Sequence, residues 1–147
     1  MLNSVDKAKA LVYLSNHWRN KAPTTKEQHT MTDLLKHVQQ IADRINNGYA
    51  LEADELDGYD YEYQEGDVLS GFDYISDALD FNYVLDSYGE LIEVRILVAY
   101  GGPNIWVNIN KDGTGEVVGS WWADKATQHI YSDEMGIFEA VKEIREC

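Results

Sequence analysis

The sequence predicts an α+β fold, in which two N-terminal helices and one C-terminal helix pack on one antiparallel sheet of four or five strands at about residues 81–131. Apolar residues recur at three- and four-residue spacing near both ends of the chain, and they alternate with polar residues between those regions. The length of 147 residues suits a single domain. We expect a helical part at 1–48, an acidic connector at 49–75, and the sheet with its last helix at 76–147.

Two helices are predicted before residue 49. The first spans 4–19, where Ser4 is suited to cap the helix and an apolar stripe consists of Ala8, Leu11, Leu14 and Trp18. The second begins between Thr25 and Thr32 and ends at Gly48, because Asn and Gly tolerate the left-handed conformation at a helix C-terminus. Its apolar face consists of Met31, Leu34, Leu35, Val38, Ile41, Ala42 and Ile45.

The middle of the chain has a weaker pattern. Residues 49–73 show neither a helical nor a strand period, so a long loop or a set of turns is predicted there. Ile75, Ala78 and Leu79 fit a short helix from Ser76, whereas 81–85 alternates like an outer strand. We favour a short helix that runs into a strand.

Four further strands are predicted at 91–100, 104–110, 117–122 and 127–131. The turns between them include Gly101-Gly102-Pro103 and a hairpin loop of the Asp-Gly type at 111–115. Ser132 is predicted to cap the last helix, with Asp133 and Glu134 in its first turn. The inner face of that helix is expected to consist of Met135, Phe138, Val141 and Ile144.

Composition narrows the expected compartment and partners. The chain starts without the basic and apolar segments of a signal peptide, it has no apolar run of membrane-spanning length, and its one cysteine is Cys147. We therefore expect a soluble protein of the cytosol without an intramolecular disulfide. A net charge of −14 repels nucleic acid and anionic membranes, so a basic protein is the expected partner.

Several patterns resemble sites without meeting their requirements. Residues 108–113 match the first half of an EF-hand loop, but Gly119 stands where its last glutamate belongs. The four histidines lack zinc-ligand spacing, and Asp54, Asp57, Asp60 and Glu62 follow no defined ligand spacing either. No phosphate-binding loop, activated nucleophile or distinctive carboxylate pair is recognisable. We expect no metal, no cofactor and no enzymatic activity.

Three tryptophans, Trp106, Trp121 and Trp122, fall within the predicted sheet. Adjacent residues of a strand face opposite sides, so one of Trp121 and Trp122 should be in the core and the other should point outward or lie under a helix. Core packing is the usual role of tryptophan, whereas an exposed tryptophan would be a strong interface anchor.

The acidic window at residues 45–94 contains fourteen Asp and Glu residues and seven of the ten tyrosines, but no Lys or Arg. Its charge equals the net charge of −14, because residues 1–44 sum to +3 and residues 95–147 to −3. Such a surface either keeps the protein soluble or binds a partner. The residues that we expect to bind are Asp54, Glu55, Asp57, Tyr59, Asp60, Tyr61, Glu62, Tyr63, Glu65 and Asp67.

Residues 101–107 (GGPNIWV), 115–122 (GEVVGSWW) and 138–147 form a pattern across the last third of the chain. This pattern resembles small uncharacterised acidic proteins of bacterial phages and mobile elements. The resemblance implies a context in which small acidic proteins often act as anti-CRISPR or anti-restriction inhibitors. No functional residue is carried over from it.

Two main hypotheses follow from the sequence, and a third is a hydrolase whose carboxylates would form a buried acid pair in a pocket. In the first, the protein is a non-enzymatic inhibitor whose carboxylates mimic nucleic acid and occupy the basic surface of a host CRISPR effector or restriction enzyme. In the second, it is an accessory or structural phage or plasmid protein that forms a homodimer through its tryptophan-bearing sheet, and the acidic residues only maintain solubility.

Overall fold

The computed structural model describes residues 25–59 and 63–147. Within these residues, five strands form one antiparallel sheet in which each strand pairs with the next along the chain. The strands are β1 (Asp80–Leu85), β2 (Leu91–Ala99), β3 (Asn104–Asn110), β4 (Gly115–Trp121) and β5 (Asp124–Ile130). The helices are α1 (Thr25–Asn47), α2 (Gly71–Ile75) and α3 (Ile137–Glu146), with a 3-10 helix at Ala53–Gly58.

The predicted α+β class and the antiparallel sheet are confirmed. The helix predicted at 4–19 lies outside the described residues. No helix in the described part of the chain combines the length and the apolar character that crossing a bilayer requires.

Strand β3 provides the centre of the core. Its alternate residues Ile105, Val107 and Ile109 are fully buried, as the alternating pattern predicted. Val94 and Ile96 of β2 are also fully buried and pair in register with Ile109 and Val107. Because paired residues of neighbouring strands face the same side, these side chains form one apolar face.

Helix α1 packs on β4 and β5 through the apolar face that the sequence predicted, and its buried residues are Met31, Leu34, Val38, Ala42 and Ile45. The helix approaches the sheet closely at Gly119, where a Cβ atom would lie 2.6 Å from Cγ2 of Val38. Gly48 follows the helix with a φ of 83°, so the predicted C-terminal stop is confirmed.

The short helix predicted from Ser76 was placed too late in the sequence. Helix α2 ends at Ile75, and the hydroxyl of Ser70 caps it by accepting a hydrogen bond of 3.2 Å from the backbone N–H of Asp73. A Cβ on Gly71 would lie 2.6 Å from the carbonyl oxygen of Gly136. Close packing of α2 against the segment before α3 therefore fixes where α2 begins.

The start of the last helix also differs from the prediction, because α3 begins at Ile137 and not after Ser132. The carboxylate of Asp133 lies before the helix and accepts hydrogen bonds of 2.9 Å from the backbone N–H groups of Ile137 and Phe138. Phe138 is buried as predicted, whereas Ile144, which was expected on the inner face, is 46% exposed.

Candidate partner-binding site

The acidic connector between α1 and α2 is held at its base by backbone pairing. The N–H of Leu51 donates to the carbonyl of Asp67 at 2.9 Å, and the N–H of Leu69 donates to the carbonyl of Tyr49 at 2.8 Å. Leu51 and Leu69 are both buried in the core. The connector is therefore anchored at both of its ends, and the period-free stretch that was predicted to be a loop contains a β-bridge at this point.

A 3-10 helix at Ala53–Gly58 follows the first anchor and carries part of the acidic cluster. Glu52 caps it, and the side chains and backbone N–H groups of Glu52 and Glu55 bond reciprocally in a capping box. Hydrogen bonds lower the pKa of the Glu55 carboxyl. The bond from the backbone N–H of Glu52 is the main cause, and a bond from the hydroxyl of Tyr49 is the next. Glu55 therefore stays ionised to a lower pH than an ordinary glutamate.

The side of the 3-10 helix that contains Glu55 faces the end of α1. The hydroxyl of Tyr49 donates a short hydrogen bond to Glu55. The guanidinium of Arg44 lies over the Tyr49 ring, 4.2 Å from its centroid. Arg44 thus places one positive charge on the inner side of the 3-10 helix, while Asp54 and Asp57 remain exposed.

The geometry of the 3-10 helix brings these carboxylates into a regular spacing. A 3-10 helix rises by about 2 Å per residue, and its side chains three residues apart share one side. Asp54 and Asp57 therefore lie along the same side, about 6 Å apart along the axis. The side that carries Asp54 and Asp57 therefore gives about one charge per 6 Å, about twice the ~3.4 Å per phosphate along one strand of duplex DNA.

The tyrosines of the connector face partly inward. Tyr59 and Tyr63 are half-buried, and their rings meet edge to face with centroids 5.7 Å apart. The hydroxyl of Tyr63 donates a short hydrogen bond to Asp73 and accepts one from the N–H of Ser70 at 3.2 Å. These two tyrosines therefore fasten the connector to the core and present less contact area to a partner than fully exposed rings would.

The structure sorts the ten sequence-predicted residues into three groups. The exposed group consists of Asp54, Asp57, Glu65 and Asp67. The partly buried group consists of Glu55, Tyr59 and Tyr63. Asp60, Tyr61 and Glu62 lie outside the described residues.

Two carboxylates that the prediction omitted, Asp77 and Asp80, are also exposed, between α2 and the start of β1. The charge of Asp77 contributes to raising the pKa of Tyr59, after the larger effect of burial, so Asp77 lies near the connector. Both residues lie in the window at residues 45–94 that contains no Lys or Arg, so this sequence signal could have identified them.

Apart from Arg44, which lies close to Glu55, the charge pairs of the described residues are located elsewhere. Arg95 pairs with Glu93 on β2, and Lys111 pairs with Glu90. Within residues 31–59 and 63–147, Asp54, Asp57, Glu65 and Asp67 form no such ion pair. These four exposed carboxylates of the connector therefore carry negative charge that is not held in an ion pair with the described side chains.

The tryptophan pair differs from the expectation that both residues lie on a strand. Trp121 ends β4 and is partly buried against the core, whereas Trp122 follows the strand in the turn to β5 and is 89% exposed. The outward position of Trp122 therefore results from the turn and not from strand alternation.

The EF-hand-like residues belong to the β3–β4 hairpin. The carboxylate of Asp112 accepts hydrogen bonds from the backbone N–H of Thr114 at 2.9 Å and from its hydroxyl at 2.6 Å. These bonds lower the pKa of Asp112. In the described residues, no group of three or more His, Cys, Asp or Glu side chains is arranged to hold a metal ion.

The contact between Tyr49 and Glu55 predicts a stability change at alkaline pH. The hydrogen bond to Glu55, followed by burial, raises the pKa of Tyr49 from 10.0 to about 12. The folded state therefore favours the protonated phenol, and its stabilising effect is complete below pH 10 and lost as pH rises towards about 12. Denaturant unfolding across this range should show a falling free energy of unfolding, and Tyr49→Phe should make that fall shallower.

Tyr88→Phe is the control for this measurement, because Tyr88 is 95% exposed. In Tyr49→Phe, a part of the decrease in the free energy of unfolding at alkaline pH should remain, because burial raises the pKa of Tyr74 to about 12 as well. Equal slopes in Tyr49→Phe and Tyr88→Phe would contradict the proposed coupling of Tyr49 to Glu55.

Comparisons of this chain with protein-family models, with curated proteins and with solved structures found no match.

Proposed function

We propose that this protein is a non-enzymatic inhibitor that binds the basic nucleic-acid-binding surface of another protein through its acidic connector. The observation that carries the proposal is the set of exposed carboxylates at Asp54, Asp57, Glu65 and Asp67 on a connector with anchored ends. Self-repulsion among such charges destabilises a fold, so their concentration in one segment requires an explanation other than stability.

Nucleic-acid mimicry is the binding mode that the exposed carboxylates of the connector favour. A groove that binds DNA contains Lys and Arg side chains spaced to meet phosphates. The exposed carboxylates of Asp54 and Asp57, about 6 Å apart on the 3-10 helix, present negative charge that such a groove attracts. In keeping with the phage resemblance of the sequence, we propose that the target is a CRISPR effector or restriction enzyme in the bacterial cytosol.

A pull-down from bacterial lysate at two salt concentrations tests this function. At about 0.1 M salt, where charges interact over about 10 Å, we expect the protein to recover a nucleic-acid-binding defence protein identified by mass spectrometry. At about 1 M salt the interaction range falls to about 3 Å, and recovery should be lost. Added duplex DNA should compete at low salt, because both ligands require the same groove.

Two results would count against the proposal. Recovery that duplex DNA does not reduce would mean that the partner is bound outside its nucleic-acid groove. A homodimer in solution that persists at high salt, with no recovered partner, would instead favour self-association through the tryptophan-bearing sheet.

A further inference from the structure

Trp122 combines two unfavourable features. Its side chain is 89% exposed, and its backbone has a φ of 57°. In the described residues, the other positions with positive φ are all glycines, at 48, 66, 89, 101, 113 and 136. A bulky residue is strained in this conformation, and such strain is often retained at functional sites. Neither packing nor backbone preference accounts for a tryptophan here.

The sheet topology places a second exposed aromatic residue at the same end. Strands β2 and β4 run in the same direction because each is antiparallel to β3 between them. Tyr100, which directly follows β2, and Trp122, which directly follows β4, therefore lie at one end of the sheet. Two strand spacings separate the strands, or about 10 Å. Tyr100 is 73% exposed.

The exposed carboxylates near this end lie on the side of Tyr100. Strand β1 starts here with the exposed Asp80, shortly after the exposed Asp77. Lys125, exposed at the start of β5, is a positive charge on the strand next to Trp122, whereas Asp80 lies on the strand next to β2, which Tyr100 follows. The faces of aromatic rings attract cations, and the planar guanidinium of arginine stacks on tryptophan better than the ammonium of lysine does.

We propose that Trp122, assisted by Tyr100, is an aromatic anchor for an arginine side chain of the partner's basic surface. This inference rests on the proposed function, because it concerns the same partner. The connector supplies attraction at long range, which carries little preference between arginine and lysine. Trp122 supplies a short-range contact that selects arginine, and an exposed tryptophan is a common centre of binding energy in protein interfaces.

The test compares binding of labelled oligo-arginine and oligo-lysine peptides of equal length by fluorescence anisotropy. We expect the unmodified protein to prefer oligo-arginine by about two- to fivefold. Trp122→Asn should lose most of this preference, and Trp122→Tyr should retain a part of it. Because asparagine tolerates positive φ and the removed ring is exposed, the thermal midpoint of Trp122→Asn should stay the same or rise.

Tyr88→Asn is the matched control. Tyr88 is 95% exposed in the turn between β1 and β2, at the opposite end of the sheet, so its replacement should leave the arginine preference unchanged. The inference is overturned if Trp122→Asn keeps the full preference, or if it lowers the thermal midpoint by several degrees, which would show a structural role.

Failure of the proposed function gives a different result. If the proposed function is wrong, the binding of oligo-arginine and oligo-lysine does not depend on salt. Alternatively, charge reversal in the connector leaves the binding of both peptides unchanged. If only the inference fails, both peptides still bind through the connector, and the preference for arginine does not depend on Trp122.

Discussion

Replacing Asp54, Asp57 and Glu65 together by lysine should weaken binding to the partner, and to an oligo-arginine peptide, by about 100-fold or more. All three side chains are exposed. Each replacement places a positive charge opposite a basic surface, and like-charge contacts of this kind cost several kcal/mol in total. A loss of about 1.4 kcal/mol corresponds to a factor of ten in affinity. Asp67 is retained because its carboxylate accepts a hydrogen bond from the N–H of Gln64.

The same variant should fold at least as stably as the unmodified protein. Three reversals change the net charge from −14 to −8, which reduces self-repulsion. A loss of binding could then not be attributed to unfolding. Titration calorimetry measures the affinity, and urea denaturation measures the free energy of unfolding.

A matched control separates the connector from the overall charge. Replacing Glu139, Glu143 and Glu146 on α3 by lysine gives the same net charge of −8 at exposed positions elsewhere. We expect this control to weaken binding only slightly. If the two triple variants bind equally well, net charge and not the connector determines affinity, and the proposed site is wrong.

Gly115→Ala should be among the most destabilising single substitutions, at about 3 kcal/mol or more. Gly115 starts β4 and pairs with Ile109. A Cβ there would lie 1.9 Å from the carbonyl oxygen of Asn108 and 2.9 Å from its carbonyl carbon. Both atoms belong to the backbone of the paired strand, so strands β3 and β4 would have to separate, because a backbone cannot rotate away as a side chain can.

Gly58→Ala is the matched control for this effect. Gly58 ends the 3-10 helix, and no atom lies within 4 Å of the position its Cβ would occupy. The free energy of unfolding of Gly58→Ala should differ from that of the unmodified protein by no more than about 0.5 kcal/mol. Urea denaturation of both variants provides the comparison, and similar stability would contradict the close approach of β3 and β4.

The acidic connector illustrates how much of the candidate site the sequence could predict. Its carboxylates and its lack of basic residues follow directly from the composition of residues 45–94. The sequence did not reveal that Tyr63 bonds to Asp73 or that Tyr49 bonds to Glu55. Both contacts close loops in a segment without a regular period, so no spacing rule indicates which side chains turn inward.

The helix ends also show which features local sequence predicts and which features tertiary packing decides. Gly48 was correctly predicted to stop α1, because the preference of glycine for positive φ is a local property. The starts of α2 and α3 were misplaced, because several Ser and Asp residues nearby were suitable caps. Close packing of Gly71 against Gly136 determines where α2 begins. The hydrogen bond from the N–H of Ile137 to the carboxylate of Asp133 determines where α3 begins.

The sequence by itself determined the α+β class, the buried faces of α1 and β3, and the concentration of negative charge before residue 94. These features depend on periodicity and composition, which are properties of neighbouring residues. Only the tertiary structure decided that Asp54 and Asp57 are exposed while Tyr59 and Tyr63 turn partly inward, and that Trp122 is exposed in a turn. The physical reason is that exposure depends on contacts between residues far apart in the chain, which local patterns do not specify.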